Sequence, residues 1–299
     1  MNHLKYFVGV CALLVWSGSA FAQACPAKIG AVLTMTGSFA DVGVRIANTA
    51  KMAIEDVNSA GGIKGCPVEL LLRDDQGSPQ VGVDAAKNLV DVQGVPVLIG
   101  AIGSNVSLAI LSSVAVPSKI TEISCCSTAL TFTQLSKDGK TGGYWFRTIG
   151  TAGLQGAVSA KVAIDQGWKS VAVLYLNTEF GKGVSQEFVH AMKSLGGPPV
   201  NSVAFNEGQT SYAAVVSKAM ESKPDALFVV AEAREGAVLV REWLSMGGTQ
   251  NLLLNNALRS DLFIKNVGAE YLSKSWGVDF SPAKGPSTDA FAERYKQKS

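Results

Sequence analysis

The sequence predicts an α/β protein made of two doubly wound parallel-sheet lobes, joined by a hinge and facing each other across an interlobe cleft. Three observations lead there. Short apolar segments alternate with segments of helical period along nearly the whole chain, as in repeated βα units. The strand segments are continuously apolar, the pattern of a parallel sheet covered on both faces. At residues 144–148 the aromatic run Tyr144-Trp145-Phe146-Arg147-Thr148 breaks the rhythm, and a second βα series follows it.

The first series opens with a strand over 28–34 and a Thr36-Gly37-Ser38 turn. A helix over 41–59 carries Ile46, Ala50, Ala53, Ile54 and Val57 on one stripe. Asn58-Ser59-Ala60-Gly61-Gly62 stops it, because glycine takes the left-handed conformation that ends helices. The next strand closes on Arg73-Asp74-Asp75. A helix over 79–92, a strand over 95–99, a helix over 105–114 and a strand over 120–124 complete the series. The second series reads as helix 151–166, strand 171–176, helix 183–195, strand 202–205, helix 212–221, strand 226–230, helix 234–246 and strand 252–254. Residues 276–280 read as a return crossing and 289–297 as a helix back on the first lobe. The chain thus divides into a leader at 1–22, lobe 1 at 23–145, lobe 2 at 146–278 and a return segment at 279–299. Two such lobes place a cleft at the carboxyl ends of both sets of strands, where ligands bind in sheets of this kind.

The leader reads as an export signal. Lys5 supplies the positive charge, and an apolar run over 7–16 is too short to span a bilayer. Ala20-Phe21-Ala22 forms a small-x-small cleavage site, so Gln23 is expected to begin the mature chain. What remains is too long for one ordinary domain and comfortable for two. With 26 basic and 24 acidic residues the charge is nearly balanced. No basic run or aromatic-basic interleaving points to nucleic acid. Cys11 leaves with the signal, and four cysteines remain. Cys25 and Cys66 each precede a strand start, and neighbouring parallel strands would bring those starts together. A disulfide between them suits an oxidising compartment; two free buried thiols are the alternative. Cys125-Cys126 either closes a strained ring or stays reduced.

Enzyme chemistry finds little footing. The mature chain holds one histidine, His190, on what reads as a solvated helix face. There is no G-x-S-x-G, no phosphate loop, no metal-ligand spacing and no G-x-G-x-x-G after the first strand. Asp74 and Asp75 point to opposite sides of an extended chain, so they are expected to end a strand and shape a turn with Gln76-Gly77. A hydrolase using Ser104 would lack a base to activate it. The expectation is a binding protein with no cofactor and no metal.

The wording of residues 28–82, KIGAVLTMTGSFADVGVRIANTAKMAIEDVNSAGGIKGCPVELLLRDDQGSPQVG, resembles the start of the periplasmic substrate-binding proteins of ABC importers, in the branched-chain amino-acid (Leu/Ile/Val-binding) branch. The resemblance covers essentially the whole mature chain. It is carried further by Gly100-Ala101-Ile102-Gly103-Ser104, Ile123-Ser124-Cys125-Cys126-Ser127-Thr128, Phe146-Arg147-Thr148, Tyr175 and Phe180-Gly181-Lys182-Gly183. It implies the type I periplasmic binding protein fold, with crossings near 146–148 and 276–279. It implies that Ser104, in a strand-to-helix turn, and Thr128 bind a ligand carboxylate, and that the carbonyl of Cys126 accepts from an ammonium; Ser127 belongs to the same segment. Free N–H groups at a helix start favour a carboxylate beside Ser104.

The chain departs from that pattern at three positions. Val42 stands where an aromatic wall is common, Phe180 replaces a tyrosine, and Asn256 stands where an acidic residue commonly pairs with the ammonium. Glu232 could supply that charge from nearby. A buried ammonium without a carboxylate would be costly. The pattern also continues past a helix like 289–297, so the chain reads as truncated, and a lobe 1 without the later elements would expose apolar surface. The implied function is capture of a branched-chain or other apolar amino acid in the periplasm, by a monomer, for delivery to an ABC permease. Aromatic or short organic carboxylates are the alternative ligands, and a ligand-sensing receptor domain the alternative class.

Overall fold

The computed structural model describes residues 25–281 and 284–298; the predicted leader lies outside the described residues. Two five-stranded sheets form, with every named strand pair parallel. The first contains β1 (Ala27–Leu33), β2 (Val68–Asp74), β3 (Val97–Gly100), β4 (Thr121–Ser124) and β5 (Trp145–Arg147), in the order β2-β1-β3-β4-β5. The second contains β6 (Val171–Leu176), β7 (Val200–Phe205), β8 (Ala226–Val230), β9 (Leu252–Leu254) and β10 (Trp276–Gly277), in the equivalent order β7-β6-β8-β9-β10. The two-lobed, doubly wound class predicted from the sequence is the class found.

Helices cover the sheets. On the first they are α1 (Ala40–Ser59), α2 (Pro79–Lys87), α3 (Ser104–Ile110), the single turn α4 (Val116–Ser118) and α5 (Leu130–Lys137). Wide turns at Asn88–Val92 and Leu111–Ala115 carry α2 and α3 onward, so the two helices read at 79–92 and 105–114 are each continuous rods with a loosened end. On the second sheet they are α6 (Ala152–Asp165), α7 (Glu179–Ser194), α8 (Ala213–Met220), α9 (Ala233–Ser245) and α10 (Asp261–Val267). Finally α11 (Pro286–Lys298) lies against α1, where Arg294 pairs with Asp56 at 2.6 Å and Lys298 with Glu55.

Two helices, α5 and α10, have no counterpart in the sequence reading. Both are short, and α5 includes Thr131 and Thr133, whose branched side chains lower helix propensity. Packing holds α5 instead: Phe132 stacks on Trp145 with ring centroids 3.9 Å apart. Each aromatic stretch read as a crossing also contains an edge strand. Phe146 pairs with Ile123 of β4, and Trp276 with Leu253 of β9.

The start of β1 lies beside the start of β2, with Ala27 opposite Val68. That register brings Cys25 and Cys66 within 5.3 Å between Cα atoms, and they form the disulfide. At the other end of the same pair, Asp74 and Asp75 fasten the turns. Asp74 accepts from Thr36 Oγ1 (2.6 Å) and from the Met35 and Gln76 amides (both 2.9 Å). Asp75 accepts from Thr34 Oγ1 (2.6 Å) and the Gly77 amide (2.8 Å). The two carboxylates fasten the turns after β1 and β2, from opposite sides of the strand. Among the described residues no helix is long and apolar enough to cross a membrane.

Candidate functional site in the interlobe cleft

The carboxyl ends of both sheets meet around a cavity of about 160 Å³. Seven of the eight side chains or segments singled out from the sequence line it: Val42, Ser104, Cys126, Thr128, Phe180, Glu232 and Asn256. Each arrives from a turn that follows a strand. Ser104 follows β3, Cys126 and Thr128 follow β4, Phe180 follows β6, Glu232 follows β8 and Asn256 follows β9. Ser127 stands behind this wall. Its hydroxyl reaches the Ala101 and Ile102 carbonyls (3.3 and 3.4 Å) and Ser107 Oγ (2.9 Å), so it braces the β3–α3 turn from beneath.

The first lobe presents hydroxyls. Ser104 is 4% exposed and Thr128 2% exposed, so any group they meet is screened from water. Ser104 Oγ accepts weakly from the Ala129 amide at 3.3 Å, and its own proton is free to turn into the cleft. Thr128 Oγ1 is buried with no hydrogen-bond partner among the described residues. A buried hydroxyl left in that state costs about 1–3 kcal/mol, which a ligand oxygen would recover. The N-cap of α3 is Gly103, not Ser104, so the serine side chain is not consumed in capping its own helix.

The second lobe presents a carboxylate and a ring. Glu232 is 5% exposed and lines the cavity. Burial, then the negative charges of Glu235, Glu207 and Asp41, push this carboxyl well above the ordinary range. A ligand cation would reverse that. Asn256 Oδ1 accepts from Gln155 Nε2 at 2.9 Å, and Gln155 also bonds the Val278 carbonyl at 3.0 Å. This bridge ties Asn256, a lining residue of the cavity, to α6. Phe180 lies in the first turn of α7, which begins four residues ahead of the predicted start. Thr178 caps it by accepting from the Gly181 amide at 3.3 Å, and Glu179 suits the positive end of the helix.

Several lining residues escaped the sequence reading: Phe39, Asp41, Ile102, Ile149 and Arg259. Phe39 is the most instructive. Val42, which stands where an aromatic wall is common, is aliphatic. The tight turn Gly37–Phe39 ahead of α1 brings Phe39 to the same wall three residues earlier. Two contacts close the lobes over the cavity. Ser260 Oγ reaches Asp41 Oδ2 at 3.2 Å, and Thr131 Oγ1 reaches Glu179 Oε2 at 2.5 Å. The arrangement can hold a small zwitterion or acid: hydroxyl donors on one side, a carboxylate on the other, and Phe39, Val42, Ile102 and Phe180 as apolar walls.

The chain matches the family model described as periplasmic binding protein over residues 26–299. It is 28% identical over 243 residues to Leu/Ile/Val-binding protein homolog 1 of Brucella abortus, covering 80% of this chain and 62% of that one. It is 29% identical over 277 residues to Leu/Ile/Val-binding protein homolog 3 of Brucella melitensis, covering 92% of this chain and 72% of that one. Among solved structures it resembles the leucine binding protein LivK of Thermotoga maritima, with a TM-score of 0.81 and 27% identity over 91% of this chain and 76% of that one. The chain thus spans 62% of the length of the Brucella abortus relative.

Proposed function

The chain belongs to the periplasmic binding protein family, and we propose that it captures a branched-chain or other apolar amino acid in the interlobe cleft and delivers it to the membrane permease of an ABC importer. The observation that carries this reading is the unpartnered, buried Thr128 hydroxyl beside Ser104, across the cleft from the buried Glu232. Ser104 and Thr128 donate to the ligand carboxylate, together with free amides at the start of α3. Glu232 accepts from the ammonium, and Phe39, Val42, Ile102 and Phe180 enclose an apolar side chain. The printed names of the Brucella relatives and of the Thermotoga protein support the ligand class.

The protein works as a monomer exported to the periplasm, with cleavage after Ala22. Its lobes close because the ligand binds the closed form better than the open one, and the permease reads the closed form. A carboxylate without an amine is the second reading. It is favoured by the burial of Glu232 and the neighbouring negative charges, which raise its carboxyl and so disfavour the ionised form that an ammonium needs.

A thermal-shift screen of the exported chain against leucine, isoleucine, valine and benzoate tests the proposal. A ligand at 100 times its Kd adds about 2.7 kcal/mol, a shift of several degrees for a chain of this size. Shifts with the three amino acids and none with benzoate support the first reading. The reverse pattern replaces it with the second.

A further inference from the structure

Cys125 and Cys126, at the end of β4, stand outside the disulfide and are free, half-buried thiols. Their sulfurs are 2.8 Å apart. The hydrogen-bond contact between the two thiols holds Cys125 below the usual thiol range, against the effect of burial, while the same contact and burial push Cys126 up. Of the two sulfurs in contact, Cys125 is the more easily ionised. That is the pairing of an attacking and a resolving thiol. Cys126 also lines the cleft, as Ser104 and Thr128 do. Its amide donates to Ser124 Oγ at 3.2 Å, and the Ser127 amide donates to the same oxygen at 2.9 Å, so this wall is held by its backbone.

We propose that Cys125-Cys126 is a reversible oxidation site in the wall of the cleft, converted by a small peroxide to a vicinal disulfide that alters ligand binding. The Cys125 thiolate attacks one peroxide oxygen, the O–O bond breaks and hydroxide leaves, giving a sulfenic acid on Cys125. Cys126 sulfur then attacks Cys125 sulfur; the S–O bond breaks and the departing hydroxide takes the Cys126 proton. With hydrogen peroxide, two thiols and one peroxide yield one disulfide and two waters. Adjacent Cα atoms lie only about 3.8 Å apart, below the usual span of a disulfide. The ring is therefore strained and easily reduced, whereas Cys25–Cys66 has an ordinary 5.3 Å span and stays closed. Closing the ring turns the peptide between the two cysteines, pulls the Cys126 amide from Ser124 Oγ and moves the Cys126 carbonyl. The effect on ligand rests on the proposed amino-acid site; ring formation does not.

The test treats the exported chain with hydrogen peroxide, blocks free thiols with iodoacetamide and reads intact mass, with leucine affinity measured on the same samples. The expected product has lost two hydrogen atoms, gains no alkyl group and recovers two reactive thiols with dithiothreitol. Leucine affinity falls about tenfold on oxidation and returns on reduction, as charge-assisted contacts in that wall are displaced. Cys126→Ser stops at a sulfenic acid on Cys125, trapped by dimedone. Two alkylatable thiols after peroxide, or added oxygen without a ring, overturn the site. A ring with unchanged leucine affinity overturns its control of the cleft. A ring in a protein that binds no leucine in either state upholds the oxidation site and counts against the ligand reading alone.

Discussion

The two sheets share one strand order but are built and used differently. Each opens with a strand whose following helix must press against the strand end. A Cβ on Gly43 would lie 1.8 Å from the Thr34 carbonyl oxygen, and one on Gly181 would lie 2.0 Å from the Leu176 carbonyl oxygen. Val42 and Phe180, each just before its glycine, are therefore equivalent positions. By the same correspondence Ser104 after β3 matches Glu232 after β8, and the Cys126 to Thr128 segment after β4 matches Asn256 after β9. Lobe 1 carries hydroxyls at these places and lobe 2 carries an acid and an amide. One scaffold, used twice, offers different chemical groups from the two sides of the cleft.

The cores differ too. In lobe 2 all of β8 and β9 is buried, and two large clusters fill both faces of the sheet. In lobe 1 the apolar residues form three smaller clusters, and the β2 side chains Leu70 and Leu72 are only half-buried. The largest expected effect follows. Phe228→Ala removes a fully buried ring packed 4.8 Å from Phe188 and is expected to cost about 3–5 kcal/mol in urea unfolding. Leu72→Ala is expected to cost about 1 kcal/mol. Equal costs would erase the contrast between the cores.

Lobe 1 has a compensation that lobe 2 lacks. Cys25–Cys66 ties the starts of β1 and β2, with a sequence separation of 41, while β6 and β7 have no such link. Replacing both cysteines with serine is expected to cost about 3 kcal/mol. Hydrogen exchange should quicken in β1 and β2 and stay unchanged in β6 and β7. Uniform loosening of both sheets would show that the bond supports the whole molecule.

How far all this could be read beforehand differs from residue to residue. The Cys25–Cys66 link was legible because parallel strands that pair directly start side by side. The turn role of Asp74 and Asp75 was legible from strand geometry alone. Ser104 and Thr128 were reached through family resemblance; nothing in their spacing marks them as partners. Phe39 stayed hidden because a short tight turn, not helical period, decides which way it points. The bridge from Gln155 to Asn256 stayed hidden because it spans 101 positions and depends on how α6 packs beside β9. Ser127 sits one residue from Thr128 yet faces away, which a motif cannot express.

Removing the two lobe 1 hydroxyls tests the first side of the cleft. Ser104→Ala with Thr128→Ala is expected to weaken every carboxylate ligand by about 2 kcal/mol, roughly 30-fold in Kd by calorimetry, since hydrogen bonds to a charged partner are lost. Amino acids and amine-free acids should suffer alike. Unchanged affinity would remove the lobe 1 anchor.

The smallest effect tests the second side and carries its own pH signature. Glu232→Gln is expected to weaken amino acids about tenfold and to leave amine-free acids unchanged. The folded protein holds the Glu232 proton more tightly than the unfolded chain, because its carboxyl is shifted well above the ordinary 4.5. Stability of the ligand-free protein should therefore fall as pH rises from 4.5 through the raised folded value, and the Gln variant should lack that decline. An ammonium beside Glu232 favours the ionised form, so amino-acid binding should release a proton in this window and weaken as pH falls through it. Benzoate binding should show no such release. If leucine bound wild type with no proton release and lost nothing in Glu232→Gln, the acid of lobe 2 would have no share in the ligand, and the two lobes would differ in stability without differing in recognition.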